Sequence, residues 1–239
     1  MAARLLLIED DASIARFVEL ALQELPTVDA AAPAIEFTAV ASVAAARVAL
    51  AAGGWQLVIS DLMLPDGSAE SLLAEGFALA EGAPTWVVFS AGVHDDRHAE
   101  LAARGVARTL RKPVPLAELL GTIAELLGGG PARDAAPAAD DAVQRHFGGD
   151  RALFEQFREG CLQRFADDLA QGDAAVARGD AAALRRVAHG LKAVLELIGH
   201  PDLAAQARAV EDAAAQGHIA AGWAGLAHGL AALGARRGA

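Results

Sequence analysis

The chain has 239 residues, a formal net charge of −11, a hydrophobic fraction of 54% and a single cysteine, Cys161. This length predicts two domains, because domains most often contain about 100–150 residues. An acidic chain lacks the basic surface that nucleic-acid binding requires, and no apolar run reaches the roughly 20 residues of a membrane span. The N-terminal apolar run is too short for a signal peptide, and one cysteine cannot form an internal disulfide. We therefore expect a soluble cytoplasmic protein that binds neither nucleic acid nor membrane.

Charge and composition divide the chain into two parts. Residues 1–127 carry 8 Lys and Arg against 17 Asp and Glu, whereas residues 128–239 carry 12 against 14. The segment 128–140, GGGPARDAAPAAD, has the Gly, Pro and Ala composition of a linker and no apolar periodicity. We therefore predict domains at 1–127 and 141–239, joined by this linker.

The first part alternates short apolar runs with stretches of helical periodicity. The apolar runs predict strands at 4–8, 34–40, 55–60, 85–90 and 106–110. Helical spacing predicts helices at 13–25, 42–52, 68–80, 95–105 and 115–127. Strands that are apolar on both faces and separated by helices are typical of a parallel sheet covered on both sides. The sequence therefore predicts an α/β doubly wound fold with a five-stranded parallel sheet.

The second part contains no strand-like runs. Apolar periodicity predicts helices at 153–170, 181–199, 203–216 and 221–234. The breaks between them read GGD, GD and HPD, which supply N-cap and first-turn residues. Four helices with short connections predict a separate all-α domain, an antiparallel four-helix bundle.

Carboxylates gather at one edge of the predicted sheet. Glu9, Asp10 and Asp11 follow the first strand, and Asp61 follows the third. The carboxyl ends of parallel strands meet at one edge, so we expect these side chains to lie close together. Carboxylates at one rim repel one another unless they share a cation, and oxygen ligands with open positions favour Mg²⁺. The sequence therefore predicts a magnesium site.

A hydroxyl and an ammonium group are expected at the same edge. Ser90 ends the fourth strand, and Lys112 follows the fifth. These groups could hydrogen-bond or neutralise the oxygens of a transferring phosphoryl group, and a carboxylate can accept that group as an aspartyl-phosphate. Solvated loop residues are the alternative at any one position, but contributions from four elements to one edge favour a site.

The motifs LLLIEDD, ISDLMLPDG, VVFSAG and LRKPVPLAEL resemble those of CheY-like receiver domains, the response regulator domains of two-component signalling. The resemblance covers residues 4–127. It implies that Asp61 is the phosphoacceptor. It also implies that Glu9, Asp10, Asp61 and the backbone carbonyl of Met63 hold Mg²⁺.

The same resemblance implies that Ser90 is the switch hydroxyl and that Lys112 contacts the phosphoryl group. The chain departs from the family at Thr109 and Val114, where aromatic residues are usual. In the family the first of these aromatics follows the hydroxyl residue when the phosphorylated state forms. Its absence suits a receiver that passes its phosphoryl group on.

The segment AHGLKAVLELIGH, residues 188–200, contains a second candidate site. On a helix His189 lies about 160° from the centre of the apolar face, so we expect an exposed imidazole with Lys192 one turn along. A neutral imidazole is a usable nucleophile, and a lysine can neutralise a phosphoryl oxygen. An idle surface histidine is the alternative. The other histidines lack the spacing of zinc ligands, and we expect them at the surface or at helix caps.

The runs ARGDAAALRRVAHGLKAVLELIG and LAAQARAVEDAA, with FGGD before them, resemble a histidine phosphotransfer (HPt) domain over about 141–236. The resemblance implies that His189 is phosphorylated and that Lys192 is its supporting cation. Val194, Leu195 and Glu196 stand where the family usually has small residues. We expect their bulk to narrow the surface on which a partner docks.

Together these features predict a two-component phosphorelay protein that uses Mg²⁺ and exchanges phosphoryl groups with a sensor histidine kinase or with other receiver and HPt proteins. Such a protein is not an enzyme acting on a separate substrate, although a receiver catalyses its own phosphorylation and dephosphorylation. One alternative is an interaction module with one vestigial phosphorylation site. Another is an aspartyl-phosphate phosphatase, but such hydrolases usually have a second aspartate where this chain has Met63.

Overall fold

The computed structural model describes residues 2–30, 32–90, 95–128 and 141–235. The chain divides into two compact units, Met1–Ala136 and Pro137–Ala239. Residues 129–140, which include nearly all of the predicted linker, lie outside the described residues. No helix in the described part is long and apolar enough to cross a membrane.

The first unit alternates strands and helices. Its strands are β1 (Ala3–Ile8), β2 (Ile35–Val40), β3 (Leu57–Asp61), β4 (Met63–Leu64), β5 (Gly67–Ser68), β6 (Thr85–Ser90) and β7 (Val106–Arg111). Its helices are α1 (Ala12–Val28), α2 (Val43–Ala52), α3 (Glu70–Ala74), α4 (Asp95–Ala103) and α5 (Leu116–Leu126).

Five of these strands form one parallel sheet in the order β2-β1-β3-β6-β7. Counted in chain order, this is the 2-1-3-4-5 arrangement of flavodoxin-like doubly wound folds. Helices α1 and α5 contact each other, while buried residues of α2, α3 and α4 share a separate cluster with β1, β3 and β6. The central strands are buried along their length, which explains their continuous apolar sequences. The predicted five-stranded parallel sheet with its helices is confirmed.

The third helix is shorter than the predicted segment 68–80. Helix α3 spans only Glu70–Ala74, because Gly67 and Ser68 belong to β5 and the chain turns at Gly76. Gly76 has a φ of +87°, in the left-handed region that favours glycine. Periodicity alone did not separate a five-residue helix from the turns that continue its apolar spacing.

The described residues of the second unit form helices and the turns between them, with no strand. Its elements are α6 (Ala142–Phe147), α7 (Arg151–Arg178), α8 (Ala181–Leu197), α9 (Pro201–Ala215) and α10 (Trp223–Ala235). Helix α6 was not predicted, and α7 continues well beyond the predicted end at residue 170. Helix α7 ends at Gly179, whose φ is +68°. Helix α8 contacts α7 and α9, and α10 contacts the same two helices.

Aspartates cap the N-termini of α7 and α8, at two of the breaks that the sequence predicted. The Asp150 carboxylate accepts a hydrogen bond from the Leu153 N–H at 2.9 Å, and Asp180 accepts one from the Ala183 N–H at 2.9 Å. These bonds satisfy N–H groups that have no partner inside the helix. The predicted capping at these two breaks is confirmed.

His146 lies in the interior of the second unit, contrary to the expectation that it lies at the surface or a helix cap. The residue is 4% exposed, and neither ring nitrogen hydrogen-bonds to a residue that the structure describes. Burial, with a smaller contribution from Arg145, lowers the pKa of His146 to about 4. The sequence offered no signal for this, because α6 is too short to show periodicity.

This burial predicts a pH dependence of stability. Between pH 6.5 and 4 the unfolded chain binds a proton at His146 that the folded unit does not, so the free energy of unfolding falls as the pH falls. From pH 7 to pH 5 we expect the loss to be about 2 kcal/mol. Denaturant unfolding of the full chain should show this loss and His146→Leu should lack it. An equal loss in both proteins would contradict the burial of a neutral imidazole.

Candidate functional site

Three carboxylates meet at the carboxyl edge of the sheet. Glu9 directly follows β1, Asp10 comes next, and Asp61 is the last residue of β3. One oxygen from each lies within 4.8 Å of the others. Glu9 is 3% exposed and Asp61 is 4% exposed, whereas Asp10 is less buried. The predicted gathering of these three side chains therefore occurs, and the set consists of the oxygen donors that Mg²⁺ prefers.

Lys112 lies between two of these carboxylates. It directly follows β7, and its Nζ donates hydrogen bonds of 2.6 Å to Glu9 Oε2 and to Asp61 Oδ2. The lysine is itself buried. Bonds between a buried ammonium group and two carboxylates are charge-assisted and strong, and they offset the loss of hydration of all three groups.

Burial and the neighbouring charges both shift the pKa values in this cluster. Burial raises the pKa of Glu9 to about 8, against the opposing effect of Lys112. It also raises the pKa of Asp10, and the charge of Asp61 adds to that shift. Burial disfavours the charged form of Lys112, but the charges of Glu9 and Asp61 raise its pKa above the ordinary value. The site therefore favours a bound positive charge.

A backbone hydrogen bond holds Glu9 at the end of β1. The Glu9 N–H donates to the Val40 carbonyl at 2.9 Å, which continues the pairing of β1 with β2. Asp11 does not join the carboxylate cluster. Its Oδ1 accepts from the Ser13 and Ile14 N–H groups at 2.7 and 3.3 Å and so caps α1.

Met63 lies two residues after Asp61. Its N–H donates to Asp61 Oδ1 at 3.1 Å. Ser90 is the last residue of β6, one position beyond Phe89, which pairs with Asp61 across the sheet. The side chain of Ser90 lies outside the part of the chain that the structure describes.

The second candidate site lies between α8 and α9. His189 Nδ1 is 2.7 Å from Glu211 Oε1, and Lys192 Nζ donates to Glu211 Oε2 at 2.7 Å. The side chains of His189, Lys192 and Glu211 are 17%, 13% and 11% exposed. One carboxylate on α9 therefore binds both candidate residues of α8.

The expectation of an exposed imidazole at His189 is wrong. Helical periodicity placed His189 opposite the apolar face of α8, but α9 covers part of that side through Glu211. Val194 and Leu195 were expected to narrow a docking surface, yet they are 3% and 0% exposed and belong to the core. The periodicity of one helix does not show which other helix packs against its polar side.

Glu211 selects the tautomer of His189. Burial opposes ionisation of Glu211, but the hydrogen bonds from His189 and Lys192 lower its pKa to about 2. An ionised carboxylate can only accept hydrogen bonds, so His189 carries a proton on Nδ1. In the neutral imidazole the lone pair is then on Nε2.

Sequence reasoning missed Glu211, although a signal was present. The buried residues of α9 recur at helical spacing at Ala204, Ala207, Val210, Glu211 and Ala214. An acidic residue in such a stripe requires a buried partner. The partner lies on another helix, so its identity could not be read from α9.

No protein-family model matches the sequence, and no curated protein matches it. The chemotaxis response regulator CheY4 of Vibrio cholerae matches with 19% identity and a TM-score of 0.44, over 53% of this chain and 100% of that chain. A CheY-like response regulator receiver domain protein from Methanospirillum hungatei JF-1 matches with 21% identity and a TM-score of 0.45, over 54% of this chain and 95% of that chain. A two-component response regulator from Clostridium difficile matches with 17% identity and a TM-score of 0.45, over 53% of this chain and 96% of that chain.

The lowered pKa of Glu211 predicts a second acid transition in stability. A depressed carboxyl pKa contributes stability that is complete above the ordinary value of 4.5 and is lost as the pH falls towards 2. We expect Glu211 to account for a loss of about 2 kcal/mol between pH 5 and pH 3. Glu211→Gln should lack this part of the acid dependence in denaturant unfolding at pH 5 and pH 3. The same slope in both proteins would contradict an ionised Glu211.

Proposed function

We propose that this chain is a two-component phosphorelay protein in which Asp61 accepts a phosphoryl group and His189 carries one. The observation that carries the proposal is the buried contact of Lys112 with Asp61 and Glu9, with Asp10 beside them. A carboxylate nucleophile, an adjacent ammonium group and oxygen donors for a metal are the groups that phosphoryl transfer requires.

Transfer to Asp61 forms one bond and breaks one. A carboxylate oxygen of Asp61 attacks phosphorus, the P–N bond of a phosphohistidine donor breaks, and its electron pair returns to the imidazole nitrogen. The ammonium group of Lys112 neutralises charge on the phosphoryl oxygens. We assign the Ser90 hydroxyl as a hydrogen-bond donor to one of these oxygens.

Glu9, Asp10, Asp61 and the Met63 carbonyl would hold Mg²⁺, as oxygen donors of the kind this ion binds. When bound, the ion supplies positive charge to the oxygens of the transferring group. The grouping of three carboxylates around one lysine supports the assignment, since Lys112 supplies only one positive charge for Glu9, Asp10 and Asp61.

In the second unit we propose an HPt domain built as an antiparallel four-helix bundle of α7, α8, α9 and α10. His189 Nε2 attacks the phosphorus of an aspartyl-phosphate donor, and the P–O bond to the donor carboxylate breaks with its electron pair on that oxygen. Glu211 keeps the Nδ1 proton in place during this step. Lys192 supports the site as a cation that Glu211 orients. The contacts of α8 and α10 with both α7 and α9 support the bundle.

We further propose a receiver domain at 1–127, a linker at 128–140 and an HPt domain at 141–239. The partners are a sensor histidine kinase and other receiver or HPt proteins in the cytoplasm. The chain acts on no separate substrate, since each phosphoryl group that it gains is passed on or lost from its own residue.

Asp61→Asn tests the first site. We expect the full chain, incubated with Mg²⁺ and acetyl phosphate, to gain a base-labile phosphoryl group that Asp61→Asn does not gain, because an amide is a poor nucleophile. Intact-mass spectrometry measures this gain. Asp11→Asn is the matched control, since asparagine also caps a helix and Asp11 lies outside the cluster. A base-labile phosphoryl group on Asp61→Asn would contradict the assignment.

Glu211→Gln tests the second site. Glutamine leaves Lys192 without an anionic acceptor and no longer fixes the His189 tautomer by charge. We expect the rate of His189 phosphorylation by phosphoramidate to fall about tenfold or more, by analogy with removal of the carboxylate that orients a reactive histidine. Glu196→Gln on α8 is the control for loss of one charge. Equal rates for both variants would contradict the role of Glu211.

A further inference from the structure

A short hairpin directly follows Asp61. Strands β4 and β5 pair antiparallel, and the Ala69 N–H donates to the Leu62 carbonyl at 3.0 Å to close the base. We call residues 62–69 the acceptor hairpin. Because the Met63 N–H also bonds Asp61 Oδ1, the position of this hairpin determines where the Met63 backbone lies relative to the acceptor.

Asp66 fastens the tip of the acceptor hairpin to helix α2. Its Oδ1 accepts from the Val43 N–H at 2.7 Å, and its Oδ2 accepts from the Ala44 N–H at 2.9 Å. These are the first two residues of α2, whose N–H groups have no partner within the helix. The same bonds, that of Ala44 first, lower the pKa of Asp66, so the side chain is an anion at the positive end of the helix.

Apolar contacts join the same two segments. Leu64 of the hairpin is 6% exposed and shares a buried cluster with Val43 and Ala46 of α2. A Cβ built on Gly67 would lie 4.0 Å from a methyl group of Val43. The acceptor hairpin therefore rests on the first turn of α2 through both polar and apolar groups.

The start of α2 is also connected to the other acidic segment. Helix α2 follows β2, and the last residue of that strand, Val40, accepts the hydrogen bond from the Glu9 N–H. The contacts of Asp66 thus link the segment after Asp61 to the strand end beside Glu9.

We infer that Asp66 is a positioning residue for the phosphoryl-acceptor site, holding the acceptor hairpin on α2 so that the Met63 backbone keeps its place against Asp61. The inference rests on the proposed function, because the expected result of this positioning is a preformed magnesium site. Asp66 is itself exposed and acts on the site only through the hairpin.

The test compares two caps of the same helix in the full chain. Ser42 Oγ accepts from the Ala45 N–H at 3.1 Å, so Ser42→Ala removes a cap of α2 without releasing the hairpin. We expect Asp66→Ala to raise the Mg²⁺ dissociation constant about tenfold, as loss of a group that orients metal ligands does. Isothermal titration calorimetry with MgCl₂ measures this constant, and Ser42→Ala should leave it unchanged.

Two further measurements distinguish the loss of the hydrogen bonds that hold the hairpin from the loss of the Asp66 charge and from a general loss of stability. Asp66→Asn also removes the charge but keeps one acceptor oxygen, so we expect a smaller rise in the dissociation constant than for Asp66→Ala. Hydrogen exchange at the Met63 amide should accelerate in Asp66→Ala and not in Ser42→Ala.

Equal Mg²⁺ affinities for Asp66→Ala and Ser42→Ala would overturn the inference, as would equal rises for the Ala and Asn variants or unchanged exchange at Met63. If the unsubstituted chain binds no Mg²⁺, the proposed function is contradicted instead. Exchange at Met63 then decides by itself whether Asp66 holds the hairpin.

Discussion

The ammonium group of Lys112 is buried against the carboxylates of Glu9 and Asp61, at 2.6 Å from each, and the first unit is organised around this contact. The three residues come from the ends of β1, β3 and β7. Only a parallel arrangement brings those ends to one edge, and the apolar strands that form the sheet also exclude water from the charges. Removing one partner would leave an uncompensated buried charge, which costs several kcal/mol. The fold and the site therefore depend on the same strands.

The second unit has the inverse arrangement of charges. There one carboxylate, Glu211, is shared by the imidazole of His189 and the ammonium group of Lys192. In the first unit one cation binds two carboxylates, and in the second one anion binds two nitrogen groups. Each site thus sets a nucleophilic atom beside a positively charged side chain. That common feature supports the proposed exchange of a phosphoryl group between an aspartate and a histidine.

The sequence predicts the sheet and its acidic edge well, because buried parallel strands appear as apolar runs and their carboxyl ends must meet. That rule predicts from the sequence alone that Glu9, Asp61 and Lys112 lie at the same edge of the sheet. The role of Glu211 did not, because it depends on how α9 packs beside α8, and helical periodicity describes each helix separately. The burial of His146 was missed for a similar reason. The length of α3 was overestimated because turns can continue an apolar spacing.

The chemical stability of a bound phosphoryl group distinguishes an aspartyl-phosphate at Asp61 from a phosphohistidine at His189. The full chain is incubated with Mg²⁺ and radiolabelled phosphoramidate, and the label is then exposed to acid and to base. We expect two pools of label, a base-labile acyl phosphate at Asp61 and a base-stable, acid-labile phosphohistidine at His189. Mapping each pool to its peptide assigns the residue. An absent label, or an acid-stable label as on a serine, would contradict the assignment of both residues.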